Sequence, residues 1–230
     1  MNAAQSTNRF ERKFFVPHVS VPSIEILIKL QPALFRPLYH ERRVNNIYFD
    51  TIGLDHYTSH VAGAGSRSKV RIRWYGETFG AITHPVLEIK IKEGEVGRKR
   101  TFSLPSFDFQ HRIDRGLLLN LLSQASIPSY WKGQLKDLFP VLLNSYIRTY
   151  WLSADRSVRL TVDKEWISYY ALTSSLLQLS SPFRHEGVVM EMKYALGDQD
   201  TAAIIGAKWP WRLTRNSKYI IALEEFLSRE

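Results

Sequence analysis

The sequence predicts an α+β fold in which an antiparallel β-barrel of about eight strands forms a basic tunnel and carries helices on its outside. Two observations favour this fold. Strand-like segments have a charged residue at every second position, and amphipathic helical segments elsewhere need an apolar surface to cover. An antiparallel sheet of about eight strands commonly closes into a barrel. We therefore expect the apolar wall to face outward beneath the helices and the ionic wall to face inward.

The alternation is clearest in the segment Lys-Val-Arg-Ile-Arg-Trp-Tyr at residues 69–75, and it recurs along the chain. The polar positions that share a face are Lys69, Arg71 and Arg73; Glu88, Lys90 and Lys92; Arg98 and Arg100; Arg159, Thr161 and Asp163; and Glu191 and Lys193. A strand has a side-chain period of two, so each segment has one apolar and one ionic side. So many cations would repel one another unless an anion lies among them, which indicates a polyanion ligand.

The other elements follow from periodicity and from turn residues. Predicted strands cover 9–16, 44–50, 69–75, 85–93, 96–104, 141–152, 157–162, 164–170 and 187–196. Predicted helices cover 23–30, capped by Ser23, and 54–60, 113–122, 131–138, 200–208 and 217–227. We find no repeat or linker that would divide the chain. Residues 1–230 are therefore expected to form one domain, with 1–8 as a flexible N-terminus.

Composition narrows the class of protein. The formal net charge is +9, which favours acidic partners such as nucleic acid, a membrane surface or phosphate-rich small molecules. The chain has no cysteine, so disulfides and thiolate metal sites are excluded. Its seven histidines lack metal-ligand spacing, so zinc is not expected. No apolar run approaches the ~20 residues of a membrane span, and we expect a cytoplasmic protein.

Several segments, in order along the chain, resemble the VTC domain. They are residues 10–14 (FERKF), 46–51 (NIYFDT), 69–75 (KVRIRWY), 87–90 (LEIK), 146–148 (YIR), 158–163 (VRLTVD), 189–194 (VMEMKY) and 217–219 (SKY). The VTC domain is the polyphosphate polymerase domain of the vacuolar transporter chaperone complex, within the triphosphate tunnel metalloenzymes (CYTH-like superfamily). The resemblance implies a tunnel that binds triphosphate or polyphosphate, and transfer of the γ-phosphate of ATP to a growing polyphosphate chain.

The resemblance also implies roles for particular residues. The residues implied to act on the phosphates are Lys13, Arg71, Arg73, Lys90, Arg148, Arg159 and Lys218, with Tyr146 and Ser217 binding substrate beside them. Glu191 would hold Mn²⁺ or Mg²⁺. Alternation alone adds Lys69, Glu88, Arg98, Arg100 and Lys193 as substrate-binding residues and Glu11 as a second metal carboxylate. Arginine suits this role because its planar fork meets two phosphate oxygens at once.

One departure from the wider superfamily stands at residues 9–13. Many triphosphatases begin with Glu-x-Glu-x-Lys, whereas this chain reads Arg9-Phe10-Glu11-Arg12-Lys13. The change favours the VTC branch and removes one candidate ligand for a second metal ion. Two further carboxylates are interpreted as structural: Asp163 as an ion partner or a turn acceptor, and Asp50 as a cap for the turn that follows it.

Other functions stay open at this point. A triphosphatase, or a non-catalytic module that binds polyphosphate or inositol polyphosphate, would use the same cationic face. Specific nucleic-acid binding is not expected, since no RRM or KH signature appears. The polymerase assemblies of this family use a membrane segment, so a separate membrane-protein partner is a further expectation. The oligomeric state, the primer and the product length stay open.

Overall fold

The computed structural model describes residues 9–94, 96–110, 112–113, 115–170, 177–178, 182–214 and 217–228. Residues 1–8, expected to be a flexible N-terminus, lie outside the described residues, as does most of the polar loop that the sequence predicts at 173–182. The strands are β1 (Arg9–Val16), β2 (Arg36–Asp50), β3 (Ser66–Tyr75), β4 (Gly80–Ile82), β5 (Val86–Glu93), β6 (Val96–Ser103), β7 (Phe107–Phe109), β8 (Arg112–Ile113), β9 (Phe139–Leu152), β10 (Val158–Tyr170), β11 (Leu177–Gln178), β12 (Phe183–Arg184) and β13 (Val188–Ala195). The helices are α1 (Val21–Lys29), α2 (Asp55–Val61), α3 (Arg115–Gln124), α4 (Ser129–Leu135), α5 (Gln199–Ala207), preceded by a 3₁₀ turn at Leu196–Asp198, and α6 (Lys218–Leu227).

Nine strands form the main sheet, in the order β1-β13-β10-β9-β2-β3-β5-β6, with β12 paired to β10. Every pairing with a described register in it is antiparallel. The antiparallel α+β class is therefore confirmed. Closure into a barrel is not: within the described part of the chain, the order ends at β1 and at β6 without a ladder that joins them.

The described residues group into two compact units. The first unit comprises those within 1–42, 146–166 and 185–216, and the second unit those within 43–145, 167–184 and 217–230. Three strands, β2, β9 and β10, contribute residues to both. That residues 1–230 form a single functional domain stays a prediction.

In the second unit, one face of the sheet carries the core. Val70, Ile72 and Trp74 of β3 are nearly inaccessible to solvent and pack in one cluster with Leu118 and Leu121 of α3. The intervening positions of β3 are the charged ones, as the period of a strand requires. The helices of this unit therefore cover the apolar face, which is the layering that the alternation predicted.

The first unit has the same layering. Leu160 of β10 and Met190 of β13 are fully buried in a second cluster, together with Ala202 and Ile205 of α5. The polar residues between them, such as Thr161 and Glu191, fall on the other face by alternation. Each unit thus has its own core, and each leaves one sheet face to charged groups.

Two predictions about local structure were wrong. Helix α1 begins at Val21, and its cap is Ser20 instead of Ser23: the Ser20 hydroxyl accepts a hydrogen bond from the Ser23 amide at 3.3 Å, with a proline early in the first turn. Strand β10 is one strand from Val158 to Tyr170 and not two: it continues through Glu165, although that residue takes a positive φ of 53°.

Candidate functional site

The ionic face of the first unit is set by the pairing of β13 with its two neighbours. Lys13 lies opposite Glu191, and Glu11 lies opposite Lys193, across the β1–β13 ladder. Across the β10–β13 ladder, Thr161 lies opposite Glu191 and Arg159 lies opposite Lys193. Residues directly opposite in an antiparallel ladder project from the same face of the sheet. The register therefore brings two carboxylates and two lysines into adjacent positions.

We call Glu11, Lys13, Glu191 and Lys193 the quartet. Lys193 Nζ lies 2.7 Å from Glu191 Oε1 and 3.4 Å from Glu11 Oε1. Lys13 Nζ lies 3.5 Å from Glu11 Oε2 and 3.9 Å from Glu191 Oε2. Each lysine is thus shared by both carboxylates, and the formal charges of the four groups cancel.

Burial and charge set the protonation states of the quartet. Burial alone would raise the pKa of Glu191, but the charges of Lys193, Lys13 and Arg148 outweigh it and hold the pKa well below its usual range. For Lys193, burial opposes the charged form, and Glu191 and Glu11 overcome it, so its pKa is raised. Glu191 is therefore ionised and Lys193 protonated at neutral pH.

Arg148 of β9 extends this face. It donates from Nε and Nη2 to the two carboxylate oxygens of Asp163 at 2.5 and 2.8 Å. Its guanidinium carbon also lies 5.2 Å from the centroid of the buried Tyr146 ring. Asp163 is almost fully buried, and the interpretation of Asp163 as a structural ion partner agrees with this geometry.

The donor chemistry of the quartet fits a hard divalent cation. Glu11 and Glu191 supply carboxylate oxygens, which Mg²⁺ and Mn²⁺ prefer. The Thr161 hydroxyl oxygen, opposite Glu191 in the ladder, is buried and has no hydrogen-bond partner among the described residues. Within the described residues, no group of three or more His, Asp or Glu side chains is arranged to hold a metal by itself. A cation here would therefore need further ligands from water or substrate phosphates.

The ionic face of the second unit is organised around the buried carboxylate of Glu88 on β5. Arg71 donates to Glu88 Oε2 from Nε at 2.7 Å and from Nη2 at 2.5 Å. Arg73 Nη1 lies 3.7 Å from the same oxygen, and Lys99 contacts the other carboxylate oxygen. Burial alone would raise the pKa of Glu88, but Arg71, Arg73 and Lys99 together hold it well below its usual range.

Arg71 and Arg73 are held in place by hydrogen bonds that they donate to side chains of β2. Arg73 Nε donates to Asn46 Oδ1 at 2.8 Å, and Arg71 Nη1 donates to the Tyr48 hydroxyl at 3.2 Å. Since Glu88 also holds Arg71, both guanidinium planes are oriented before any ligand arrives. Glu88 therefore orients the cations around it, and its role in substrate binding stays a prediction.

Three lysines lie side by side across the same face. Lys69 of β3 is directly opposite Lys90 of β5, and Lys90 is directly opposite Lys99 of β6. We call them the lysine row. Lys69 Nζ donates to the Ser217 hydroxyl at 2.7 Å. Like charges directly opposite in a ladder are destabilising, so this row indicates a polyanion site in the second unit.

The segment 217–219 is anchored by the buried side chain of its last residue, Tyr219. The Tyr219 hydroxyl donates to Asp50, whose carboxylate also accepts from the amides of Thr51, His56 and Tyr57 at 2.8–2.9 Å. Asp50 therefore caps the first turn of α2, as its position predicted. Tyr219 is the second residue of α6, so this contact fixes Ser217 and the half-buried Lys218 just before it.

The expectation that alternation turns Arg98 and Arg100 to the ionic face was wrong. The β5–β6 register places Arg98 opposite Ile91 and Arg100 opposite Ile89, on the other face of the hairpin. Lys99, between them, contacts Glu88. The signal was present in the hairpin turn: Glu93 pairs with Val96, so that register puts residue 99 opposite Lys90.

Elsewhere, a cavity of about 220 Å³ lies in the second unit and is lined by Val70, Ile89 and Leu135, among others. These three residues belong to the apolar, helix-covered face and not to the ionic face. No described helix is long and apolar enough to cross a membrane.

The VTC domain family model matches residues 8–227. No curated protein matches the sequence significantly. Among solved structures, the PH1819 protein from Pyrococcus horikoshii OT3 is similar, with a TM-score of 0.52 and 14% identity over 96% of this chain and 99% of that one. HpAC1 from Hippeastrum, a protein with a dominant triphosphatase activity, has a TM-score of 0.52 and 15% identity over 94% of this chain and 96% of that one. At such low identity, both likenesses indicate the fold.

Proposed function

The chain belongs to the VTC domain family, and from that premise we propose that it is a metal-dependent polyphosphate polymerase that uses ATP. The reaction breaks the bond between the γ-phosphorus of ATP and the β–γ bridging oxygen and forms a bond from that phosphorus to a terminal oxygen of the polyphosphate chain. ADP is the leaving group. The family binds triphosphate-containing substrates, and the superfamily includes enzymes.

The observation that carries the proposal is the quartet. Phosphoryl transfer spreads negative charge over the moving group, so catalysis depends on positioned cations and needs no covalent protein intermediate. Lys13 and Lys193 are held within 4 Å of the carboxylates by a fixed register. When phosphate oxygens approach, these ammonium groups can exchange a carboxylate for a phosphate with little movement. Arg148 is already aligned by Asp163 and has N–H groups beyond the two that Asp163 accepts.

The carboxylates of Glu191 and Glu11 would hold the divalent cation, either Mg²⁺ or Mn²⁺. When bound, such a cation supplies charge stabilisation on phosphate oxygens. The chain's own contribution is to keep Glu191 ionised through Lys193, Lys13 and Arg148. In the second unit, Arg71 and Arg73 would orient phosphate groups, with Lys69, Lys90 and Lys218 as further point charges.

A triphosphatase is the second candidate, and the dominant triphosphatase activity of the similar protein HpAC1 favours it. The two candidates differ in the acceptor, which is water in one case and a phosphate chain in the other. Arg9, where triphosphatases of the superfamily often have glutamate, supports the transferase. A module that only binds polyphosphate would use the same cations but release no ADP.

One assay separates these functions. Purified protein is incubated with ATP and Mg²⁺ or Mn²⁺, and ADP, free phosphate and long-chain polyphosphate are measured together, with Glu191→Ala as the inactive control. ADP matched by polyphosphate, and lost in the variant, supports the polymerase. Free phosphate in place of chains would overturn it in favour of a triphosphatase. Binding of polyphosphate without ADP formation would leave a binding module.

A further inference from the structure

Three side chains of the first unit form an exposed stacking surface that the reaction above does not use. The Tyr39 and Tyr150 rings meet edge to face, with centroids 5.6 Å apart at 83°. The Arg42 guanidinium carbon lies over both rings, 5.5 Å from the Tyr39 centroid and 4.8 Å from the Tyr150 centroid. We call these residues the tyrosine–arginine platform. Tyr39 is 56% exposed, although it is a large aromatic residue on a strand.

The platform stands next to the phosphate-binding residues on one strand. Tyr146, Arg148 and Tyr150 are alternate residues of β9 and therefore project from the same side of it. Trp151, which belongs to the apolar core of the unit, projects from the opposite side. Arg148 and Tyr150 are separated by about 7 Å along the strand.

We propose that the tyrosine–arginine platform is the subsite for the purine base of the nucleotide substrate. The inference rests on the proposed use of ATP, and it adds the base-recognition group that a site built only from cations lacks. Tyrosine rings and guanidinium planes are the surfaces on which bases stack in proteins. The positive charge of Arg42 would attract the anionic nucleotide, and the plane of its guanidinium extends the stacking area.

The platform distinguishes ATP from inorganic tripolyphosphate, which carries the phosphates without a base. Stacking on an aromatic ring is tolerant of base identity, so GTP should bind about as well as ATP. Tripolyphosphate binding should depend on the proposed phosphate-binding cations and not on the platform. This separation gives the proposal a readout that a merely structural role for Tyr39 would not produce.

The test is calorimetric binding of ATP and of tripolyphosphate in EDTA, where turnover is suppressed, to the wild-type protein, Tyr39→Ala and Tyr39→Trp. We expect Tyr39→Ala to weaken ATP binding by about 5- to 100-fold, with tripolyphosphate binding unchanged and ATP binding retained in Tyr39→Trp. Tyr130→Ala is the matched control, because Tyr130 is also an exposed tyrosine packed against an aromatic neighbour, at 66% exposure.

The outcomes separate this inference from the proposed function. Equal loss of ATP and tripolyphosphate binding in Tyr39→Ala, or loss of neither, would overturn the base subsite while the wild-type protein still binds both ligands. If the wild-type protein bound neither ligand, the proposed function itself would fail. If ATP binding shows the expected dependence but no polyphosphate forms, the base subsite stands and the polymerase does not.

Discussion

Arg148 and Asp163 meet fork to fork on the ionic face of the first unit, with two N–H groups of the guanidinium donated to the two oxygens of a carboxylate that is almost wholly buried. Neighbouring Asp163 raises the pKa of Arg148 against the opposing effect of burial. The pair therefore fixes the orientation of Arg148, a candidate phosphate-binding residue. In return, the charge of Asp163 is almost wholly shielded from water.

Loss of one partner of this pair should be expensive. We expect Asp163→Asn to lower the free energy of unfolding by about 3 kcal/mol, because Arg148 would be left charged in a mostly buried site. Urea unfolding followed by circular dichroism measures the change. Asp137→Asn is the control, since Asp137 lies 3.6 Å from Arg115 and both side chains are exposed, at 71% and 39%, and such surface pairs contribute about 0–1 kcal/mol. Similar losses in the two variants would contradict the buried-pair interpretation.

The quartet predicts opposite effects of Glu191→Gln on binding and on turnover. Removing this carboxylate frees Lys13 and Lys193 from a competing anion, so tripolyphosphate should bind about five-fold more tightly in EDTA. Formation of ADP with Mg²⁺ present should nevertheless be lost. Calorimetry and the ADP assay on the same preparation check both parts. Weaker tripolyphosphate binding in the variant would show that Glu191 does not compete for the lysines.

The β5–β6 register predicts which cation of β6 binds phosphate. We expect Lys99→Ala to weaken tripolyphosphate binding about tenfold, because it removes a charge from the lysine row. Arg98→Ala and Arg100→Ala are matched controls on the same strand, and each should change affinity by less than about twofold. Equilibrium binding of all three variants at one salt concentration makes the comparison. An effect of Arg98→Ala or Arg100→Ala as large as that of Lys99→Ala would mean that the register is different in solution.

His60 predicts a stability change between pH 6.5 and 4. Burial, and after it the positive charges of Lys69 and Arg67, lower the pKa of His60 to about 4. The unfolded chain has a histidine pKa of about 6.5, so the folded state binds this proton more weakly. The contribution of neutral His60 to the free energy of unfolding is therefore complete above about pH 6.5 and is lost as the pH falls towards 4.

Urea unfolding at several pH values should show this dependence for the wild-type protein and a flatter profile for His60→Gln in the same window. Below about pH 4.5, both proteins should lose further stability, because Glu88 and Glu191 have lowered pKa values in the folded state and must be protonated. An unchanged slope in His60→Gln between pH 6.5 and 4 would assign the effect to another group.

Tyr219 predicts a link between a buried hydrogen bond and the phosphate site. Tyr219→Phe leaves Asp50 with its three backbone donors but removes the hydroxyl, and we expect a loss of about 1–3 kcal/mol in the free energy of unfolding. Because Tyr219 anchors the segment that contains Ser217 and Lys218, tripolyphosphate binding should weaken as well. Tyr130→Phe, at an exposed site, should change neither quantity. Unaltered binding in Tyr219→Phe would show that the segment does not depend on this anchor.

The layering of the sheet could be predicted from the sequence because alternation has a direct physical meaning. Charged residues at 69, 71 and 73 cannot share a face with Val70 and Trp74, so one strand sufficed to separate core from ionic face. The quartet followed for the same reason, since alternation on β13 puts Glu191 and Lys193 on one side. Alternation could not predict which residue of β1 lies opposite which residue of β13; only the register in the structure shows this.

The features that could not be predicted from the sequence also have physical explanations. The first half of β2 was missed because residues 36–43 are mostly exposed and have no apolar alternation, so no core contact marks them as a strand. Lys99 was missed because the face of a hairpin strand depends on its turn, and a shift of one residue exchanges the two faces. Edge strand β6 is exposed almost throughout, so neither face carried an apolar signal to correct the error.

The charges of the two ionic faces have a consequence for how fast a polyanion is captured. In the quartet, and in the Arg148–Asp163 pair, positive and negative charges cancel, so these groups exert little attraction at a distance. Around Glu88, three cations face one carboxylate, and Lys69 and Lys90 add two more positive charges. For the proposed polymerase, diffusional encounter with a long phosphate chain would therefore be driven by the second unit, and its rate should fall steeply as the ionic strength rises. The rate of capture and the rate of transfer would then be governed by different side chains.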